Sequence, residues 1–329
     1  MNDRLTLILT IKDRPAFTQR WMRYMNDRRC PYPVLIADGG TDTALEAHLR
    51  HTDNYPALRY TYVRYPIDTD YATYHAKLAD ITARVSTPYV QLADDDDFVL
   101  FEANDGFCRF LDAHPGTVSC GGSRYVLRLL SGTGTVMGMP QAARYEARLD
   151  ARARGVTGAT AAERLTAFFT SVTRQYLWDA WYWVHRAPAL AAAFDKGRRH
   201  RFRDPVTHEA HVHMMLLSVG EYHDSQVPGT VIQAGSSQLT AVLEREGSVS
   251  ARLARVNGRD DLLASVADVP GPLSAGERQG VIGAIDSWLA QTAARAVASP
   301  PPFWQRWLGV RPAPKPTTTL PVLEPYILG

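Results

Sequence analysis

The chain has 329 residues, 45% of them hydrophobic and 21% charged, with a formal net charge of +2. That is ample apolar material for a large core, and too little net charge for a nucleic-acid footprint. Cys30, Cys108 and Cys120 lie too far apart for a disulfide framework or a zinc pattern, which predicts a reducing, cytoplasmic compartment.

In chain order, Met1 to Thr10 lacks the charged start and long apolar core of a signal peptide. No later run of about 18 apolar residues could span a bilayer. Leu5 to Ile11 is an apolar, β-branched run of the kind buried on both faces of a parallel sheet. Asp13 is placed to cap a helix with Pro15 in its first turn and Phe17, Trp21, Tyr24 and Met25 at helical spacing. Lys12 and Arg14 then sit in a loop at the carboxyl end of a strand, where such sheets bind ligands. They read equally as phosphate contacts or as solvated charge. Val34 to Ala37 repeats the pattern and ends in Asp38-Gly39-Gly40-Thr41-Asp42, a carboxylate with two glycines that admit a ligand or simply a turn. Arg59 to Tyr65 predicts a third strand, and residues 73–85 a helix carrying Tyr74, Leu78, Ile81 and Val85. These repeats predict an α/β fold with a doubly wound, mostly parallel sheet flanked by helices.

The fourth strand, from Tyr89, runs into four adjacent carboxylates, Asp94, Asp95, Asp96 and Asp97. On an extended backbone Asp94 and Asp96 share one face, and Asp95 and Asp97 the other. Carboxylates packed this closely repel unless protons, water or a cation offset the charge. A hard divalent ion, Mn2+ or Mg2+, is the fitting counterion. A solvated acidic turn is the plainer alternative.

Beyond the cluster, residues 101–113 predict a helix, and Thr117 to Cys120 and Tyr125 to Leu130 predict strands, with Ser131-Gly132 turning into Thr133 to Met139. Residues 142–159 show no clean period and predict a mobile loop or a short exposed helix. Thr160 with Glu163 is a capping box for a helix through Phe168 and Phe169. The aromatic run Tyr176 to Trp183 supplies either sugar platforms, as at Trp178 and Trp181, or buried sheet aromatics. Lys196, Arg198, Arg199, Arg201 and Arg203 make a basic loop, solvated or facing a diphosphate or an anionic lipid. Asp204-Pro205 opens a helix with Val212, Met215, Leu216 and Val219 on its buried stripe, Glu209 one turn inside and Gly220 at its close. His208, His211 and His213 lack a zinc spacing and read as surface or satisfied histidines. Residues 250–295 are amphipathic helix material. The proline-rich tail from Pro300 carries Phe303, Trp304 and Trp307, which dock on the domain or lie in a membrane interface.

Taken together, Leu5 to Pro15, Ile36 to Gly40 and Leu92 to Phe98 resemble the nucleotide-sugar half of GT-A-fold glycosyltransferases, in particular the bacterial family 2-like group of polysaccharide loci. The likeness runs from residue 3 to about 235 and weakens after 100. It implies a GT-A domain over 1–240, with a nucleotide-sugar half (1–100) and an acceptor half (101–240), then a helical appendage (241–299) and the tail (300–329). It implies that Asp38, with Thr10, Lys12 and Asp13, holds the nucleobase, and that Arg14 and Asp95 lie on the nucleotide-sugar side. Asp94 would meet the ribose or base, and Asp96 would hold Mn2+ or Mg2+ against the diphosphate, with the register of the acidic pair open by one residue. Glu209 falls where such enzymes carry a carboxylate base. Asp204 and Asp179 remain rivals, because His208 stands where the usual motif has an acidic neighbour. The implied activity is sugar transfer from a nucleoside-diphosphate donor to a glycan or lipid-linked acceptor, inverting if that base acts. The implied setting is bacterial surface polysaccharide synthesis at the inner face of the membrane, with peripheral contact through the tail. A non-catalytic sugar- or metal-binding scaffold is the alternative. A sugar-phosphate nucleotidyltransferase is disfavoured because residues 12–15 lack glycine.

Overall fold

The apolar runs of the first hundred residues become neighbouring parallel strands. The structure is a computed structural model that describes residues 2–131, 134–135, 138–150, 155–171, 180–200, 202, 205–234, 258–297 and 318–329. Leu5–Ile11 (β1) pairs in parallel with Val34–Asp38 (β2) on one side and Tyr89–Asp94 (β4) on the other, and β2 pairs with Tyr60–Arg64 (β3). Every residue of β1 is buried, as an apolar strand covered on both faces requires. Pro15–Asp27 (α1), Thr43–Arg50 (α2) and Tyr71–Ala83 (α3) connect these strands.

Past the helix Asn104–Ala113 (α4), Thr117–Gly121 (β6), Val184–Arg186 (β10) and Glu221–Asp224 (β11) extend the sheet. Among the described residues it has seven strands in the order β11-β6-β10-β4-β1-β2-β3. Only β10 runs antiparallel within it, wedged between β4 and β6. A smaller sheet of Phe98–Val99 (β5), Thr230–Gln233 (β12), Arg124–Ser131 (β7) and Gly134–Thr135 (β8) stands beside the acidic turn. Its further member Arg144–Asp150 (β9) overturns the loop or short helix expected over 142–159: it pairs with β7 along its whole length, from Arg124 opposite Asp150 to Leu130 opposite Arg144. Ladder hydrogen bonds rather than an apolar period hold it there, and the exposed Arg144, Glu146 and Leu149 hide the strand from a hydrophobic pattern.

The capping box forms as expected: Glu163 N donates to Thr160 Oγ1 (3.1 Å) and Thr160 N to Glu163 Oε2 (3.2 Å), opening Ala161–Ser171 (α5). Ala187–Gly197 (α6) and Pro205–Val219 (α7) follow. Val212, Met215 and Leu216 are buried, but Val219, at the last residue of α7, is 50% exposed and leaves the expected stripe. Arg259–Ala264 (α8) and Ala275–Val297 (α9) pack into the same core, with Trp288 against Phe169 at 5.5 Å. The chain's last residues dock too: Leu323, Tyr326 and Ile327 are buried beside α1, and Ala142 N donates to Ile327 O (3.0 Å). Phe303, Trp304 and Trp307 lie outside the described residues. Among the described residues no helix is long and apolar enough to cross a membrane.

Candidate functional site

β4 carries Asp94 to the carboxyl edge of the sheet, and the chain then turns, with Asp97 N donating to Asp94 O (3.3 Å). The turn cancels the alternating faces expected of an extended run. Instead Asp94, Asp96 and Asp97 each bring a carboxylate oxygen within 4.8 Å of the others. Asp97 is a member that face alternation misses. Asp95 folds back on α1, where it accepts from Thr18 Oγ1 (3.0 Å) and pairs with Arg14 Nη1 (3.2 Å). Arg14 Nη1 also lies 3.4 Å from Asp96, and Arg14 Nη2 is buried without a hydrogen-bond partner. Asp94 accepts from Thr10 Oγ1 (2.8 Å) and from Tyr182 OH (2.5 Å), and Asp97 accepts from Gln233 N (2.8 Å).

Burial raises the pKa of Asp94, and the charge of Asp96 adds to it. Burial also pushes Asp95 up to about 7, opposed by Arg14 and reinforced by Asp96. Asp97 is raised well above the carboxylate range, first by burial and then by Asp96 and Asp94. The donor set is all hard oxygen, crowded and short of cations, so the residues fit a hard divalent ion of the Mn2+ or Mg2+ type.

Two further loops join this edge of the sheet. Asp38 is buried and accepts from Tyr62 OH (2.6 Å), Arg64 Nη1 (2.8 Å) and Gly40 N (2.7 Å). Asp13 does not cap α1: Arg14 holds the N-cap position without a side-chain bond. With φ at 49°, Asp13 instead turns its carboxylate to Thr41 N, Thr41 Oγ1 (3.0 Å) and Asp42 N (3.1 Å), tying the first loop to the second. Asp42 is the capping residue of α2. Lys12 Nζ donates to Asp68 O, and Lys77 Nζ to the Asp68 carboxylate. A Cβ on Gly39 would run into that carboxylate, and one on Gly40 would fall 2.7 Å from Asp13 Oδ1. The glycines thus let three loops close on one another. Asp68 escaped the sequence reading; its only signal was its place in the third strand-to-helix loop.

On the other side, Glu209 sits half-buried on α7. Tyr74 lies between the two regions: burial raises its pKa well above the usual phenol, with the charges of Asp94 and Glu209 adding. Asp204, Asp179, Trp178, Arg201 and Arg203 lie outside the described residues. Trp181 is only 7% exposed and packs edge-on to Phe194 at 5.7 Å, so it is a buried core aromatic and not an open sugar platform. Its neighbour Tyr182, which the sequence reading did not single out, is the residue that reaches Asp94.

The histidines of α7, expected at the surface or satisfied, divide: His213 is satisfied, and His208 and His211 depart from the expectation. His208, His211 and His213 are all buried, because α7 is covered nearly all round. His213 Nδ1 meets Tyr222 OH at 2.7 Å. Among the described residues His208 Nε2 and both ring nitrogens of His211 reach no hydrogen-bond partner, with only the Ala193 carbonyl near His211. His208 stacks on His75 of α3 with ring centres 3.3 Å apart. Burial lowers His75 and His211 to about 3 and His208 well below the usual imidazole.

No protein-family model matches the chain, and no curated protein matches it. Among solved structures, S. aureus TarS 1–349 in complex with UDP-GlcNAc is similar over 87% of this chain and 72% of that one, with TM-score 0.50 and 10% identity. Another structure of TarS 1–349 is similar over 93% and 78%, with TM-score 0.49 and 11% identity. The mannosyltransferase PcManGT from Pyrobaculum calidifontis, in complex with GDP-Man and Mn2+, is similar over 94% and 79%, with TM-score 0.46 and 13% identity. The UDP-GlcNAc complex of TarS shares this chain's fold, the mostly parallel sheet flanked by helices expected from the sequence.

Proposed function

We propose that the protein is a glycosyltransferase that moves a sugar from a nucleoside-diphosphate donor to a glycan or lipid-linked acceptor, using a divalent cation. The observation that carries the reading is the convergence of Asp94, Asp96 and Asp97 at the carboxyl edge of a sheet whose fold is shared with a protein solved with UDP-GlcNAc. That edge is where open α/β sheets bind ligands.

In this reading Asp94, Asp96 and Asp97 hold Mn2+ or Mg2+, which when bound supplies charge neutralisation to the departing diphosphate. Arg14 Nη2 offers a donor to the same group. The tied loops of Thr10, Lys12, Asp13 and Asp38 form the nucleobase side, with Asp95 anchoring the turn to α1. Glu209 takes the proton from the acceptor hydroxyl as its oxygen bonds to the anomeric carbon and the bond to the diphosphate oxygen breaks. A carboxylate base acting this way gives inversion. The setting we favour is surface polysaccharide synthesis, with the tail residues Phe303, Trp304 and Trp307 as the membrane contact.

A panel of nucleotide sugars, followed by release of nucleoside diphosphate, identifies the donor. With that donor, Glu209→Gln should keep donor affinity and lose turnover about a hundredfold or more, while Asp204→Asn and Asp179→Asn cost far less. Near-parental turnover in Glu209→Gln, with loss in either rival, would move the base elsewhere.

A further inference from the structure

Beneath the acidic turn, two residues far apart in sequence meet. Arg20 of α1 is only 1% exposed, a position at which a charged side chain needs partners; its two Nη atoms find them, while its Nε has none among the described residues. Its Nη2 donates to the main-chain oxygen of Asp96 (2.7 Å), and its Nη1 to Gln233 Oε1 (2.6 Å) and Pro140 O (2.7 Å). The guanidinium is stacked over Phe98 at 4.6 Å, the residue that follows the acidic run. Gln233, the last residue of β12, donates through its main-chain N to Asp97 Oδ1 (2.8 Å) and through Nε2 to Met139 O (2.8 Å). One clasp therefore grips the Asp96 backbone and the Asp97 carboxylate together, and joins both to the 139–140 segment.

We propose that Arg20 and Gln233 are positioning residues that set the backbone and carboxylates of Asp96 and Asp97 in the arrangement that takes a divalent cation. The inference rests on the metal reading above. Arg20 does this in two ways. Its fork spans three acceptors, Asp96 O, Gln233 Oε1 and Pro140 O, at fixed angles, which a lysine cannot reproduce. Its charge, buried beside the acidic turn, attracts the carboxylates of Asp96, Asp97 and Asp95 and offsets their mutual repulsion before any ion arrives. Gln233 carries the geometry to Asp97, because its side chain, held by Arg20, fixes the peptide whose N–H the carboxylate accepts.

The test is calorimetric titration of the full chain with Mn2+ alone, alongside circular dichroism and melting curves. Arg20→Met, which preserves packing on Phe98, should weaken Mn2+ binding by about 10- to 100-fold, the usual loss when a residue orienting a metal ligand is removed. Arg20→Lys should fall between it and the parent. Gln233→Met leaves the main-chain N–H in place and should weaken binding severalfold. Arg164→Met is the control: Arg164 is also buried and donates to Leu217 O, Ser218 O and Gly158 O, so its loss should lower the melting temperature and leave Mn2+ affinity alone. If the parent binds Mn2+ and folded Arg20→Met and Gln233→Met bind it equally well, the clasp is structural only and the proposal is overturned. Should Arg20→Met fail to fold, Gln233→Met against Arg164→Met decides. A parent that takes up no Mn2+ overturns the metal reading itself, and this inference with it.

Discussion

Two buried polar clusters lie on either side of Tyr74, and they solve burial in opposite ways. The carboxylates of the acidic turn are each engaged: Asp94 by Thr10 and Tyr182, Asp95 by Thr18 and Arg14, Asp96 by Arg14, and Asp97 by Gln233. Three histidines of α3 and α7 are buried as nearly bare rings: His75 stacks on His208, His208 Nε2 has no partner among the described residues, and His211 has only the Ala193 carbonyl near it, whereas His213 keeps the Tyr222 hydroxyl. An imidazole can shed its proton near neutral pH and bury as a flat, nearly apolar ring. A carboxylate at neutral pH sheds its charge only by taking a proton, so it needs donors, arginines or a cation. The first cluster is built to receive charge and the second to exclude it.

The largest expected effect breaks the first cluster. Asp97→Asn should weaken Mn2+ binding about a hundredfold or more, because one anionic ligand is lost, while the metal-free protein melts no lower since a repulsive charge has gone. Calorimetry and melting curves on the same samples check both halves; unchanged Mn2+ affinity would remove Asp97 from the site.

Acidification separates the two clusters by sign. His75, His208 and His211 have folded pKa values depressed by burial. Unfolding therefore takes up protons below about pH 6.5, and each histidine removes roughly 1 kcal/mol of stability by pH 5.5. Asp95 runs the other way. Its folded value, about 7, lies above its unfolded one, so its contribution to stability grows as pH falls from 7 towards 4. Mn2+ keeps the carboxylates ionised and should make the acid loss steeper than in the metal-free protein. Melting curves from pH 7.5 to 5.5 with and without Mn2+ test this, and parallel curves would show that the carboxylates are not linked to the ion.

A smaller change sharpens the second cluster. His75→Phe keeps a ring against His208 and removes one protonation site. The stability lost between pH 7.5 and 5.5 should shrink by about 1 kcal/mol, with little change at pH 7.5. An undiminished acid loss would mean that His75 is not held neutral.

Most of the sheet was legible in the sequence, because parallel strands buried on both faces are continuous apolar runs. Leu5 to Ile11 needed no context to be read. β9 was not legible, because a strand with one face in water and buried Ala147 and Asp150 has no apolar signature. β10 is three residues long and follows an aromatic run that masks it. At the site, the acidic run announced itself, but its geometry did not. Periodicity belongs to extended chain, and the strand ends at Asp94. His213 is a satisfied histidine, as expected, but the unpartnered buried nitrogens of His208 and His211 were not legible, because counting histidines as polar ignores how readily a neutral ring buries. Arg20, Tyr182 and Asp68 carry no local motif; only the fold brings them to the carboxylates.

The central claim is that the carboxylates of Asp94, Asp96 and Asp97 take a cation that the donor's diphosphate shares. Calorimetric binding of UDP and of GDP, with Mn2+ and then with excess chelator, tests it without needing the acceptor. The account predicts that one of the two binds at least about tenfold tighter with Mn2+, and that Asp97→Asn abolishes the difference. Equal affinity with Mn2+ and with chelator, for a nucleotide that does bind, would contradict it.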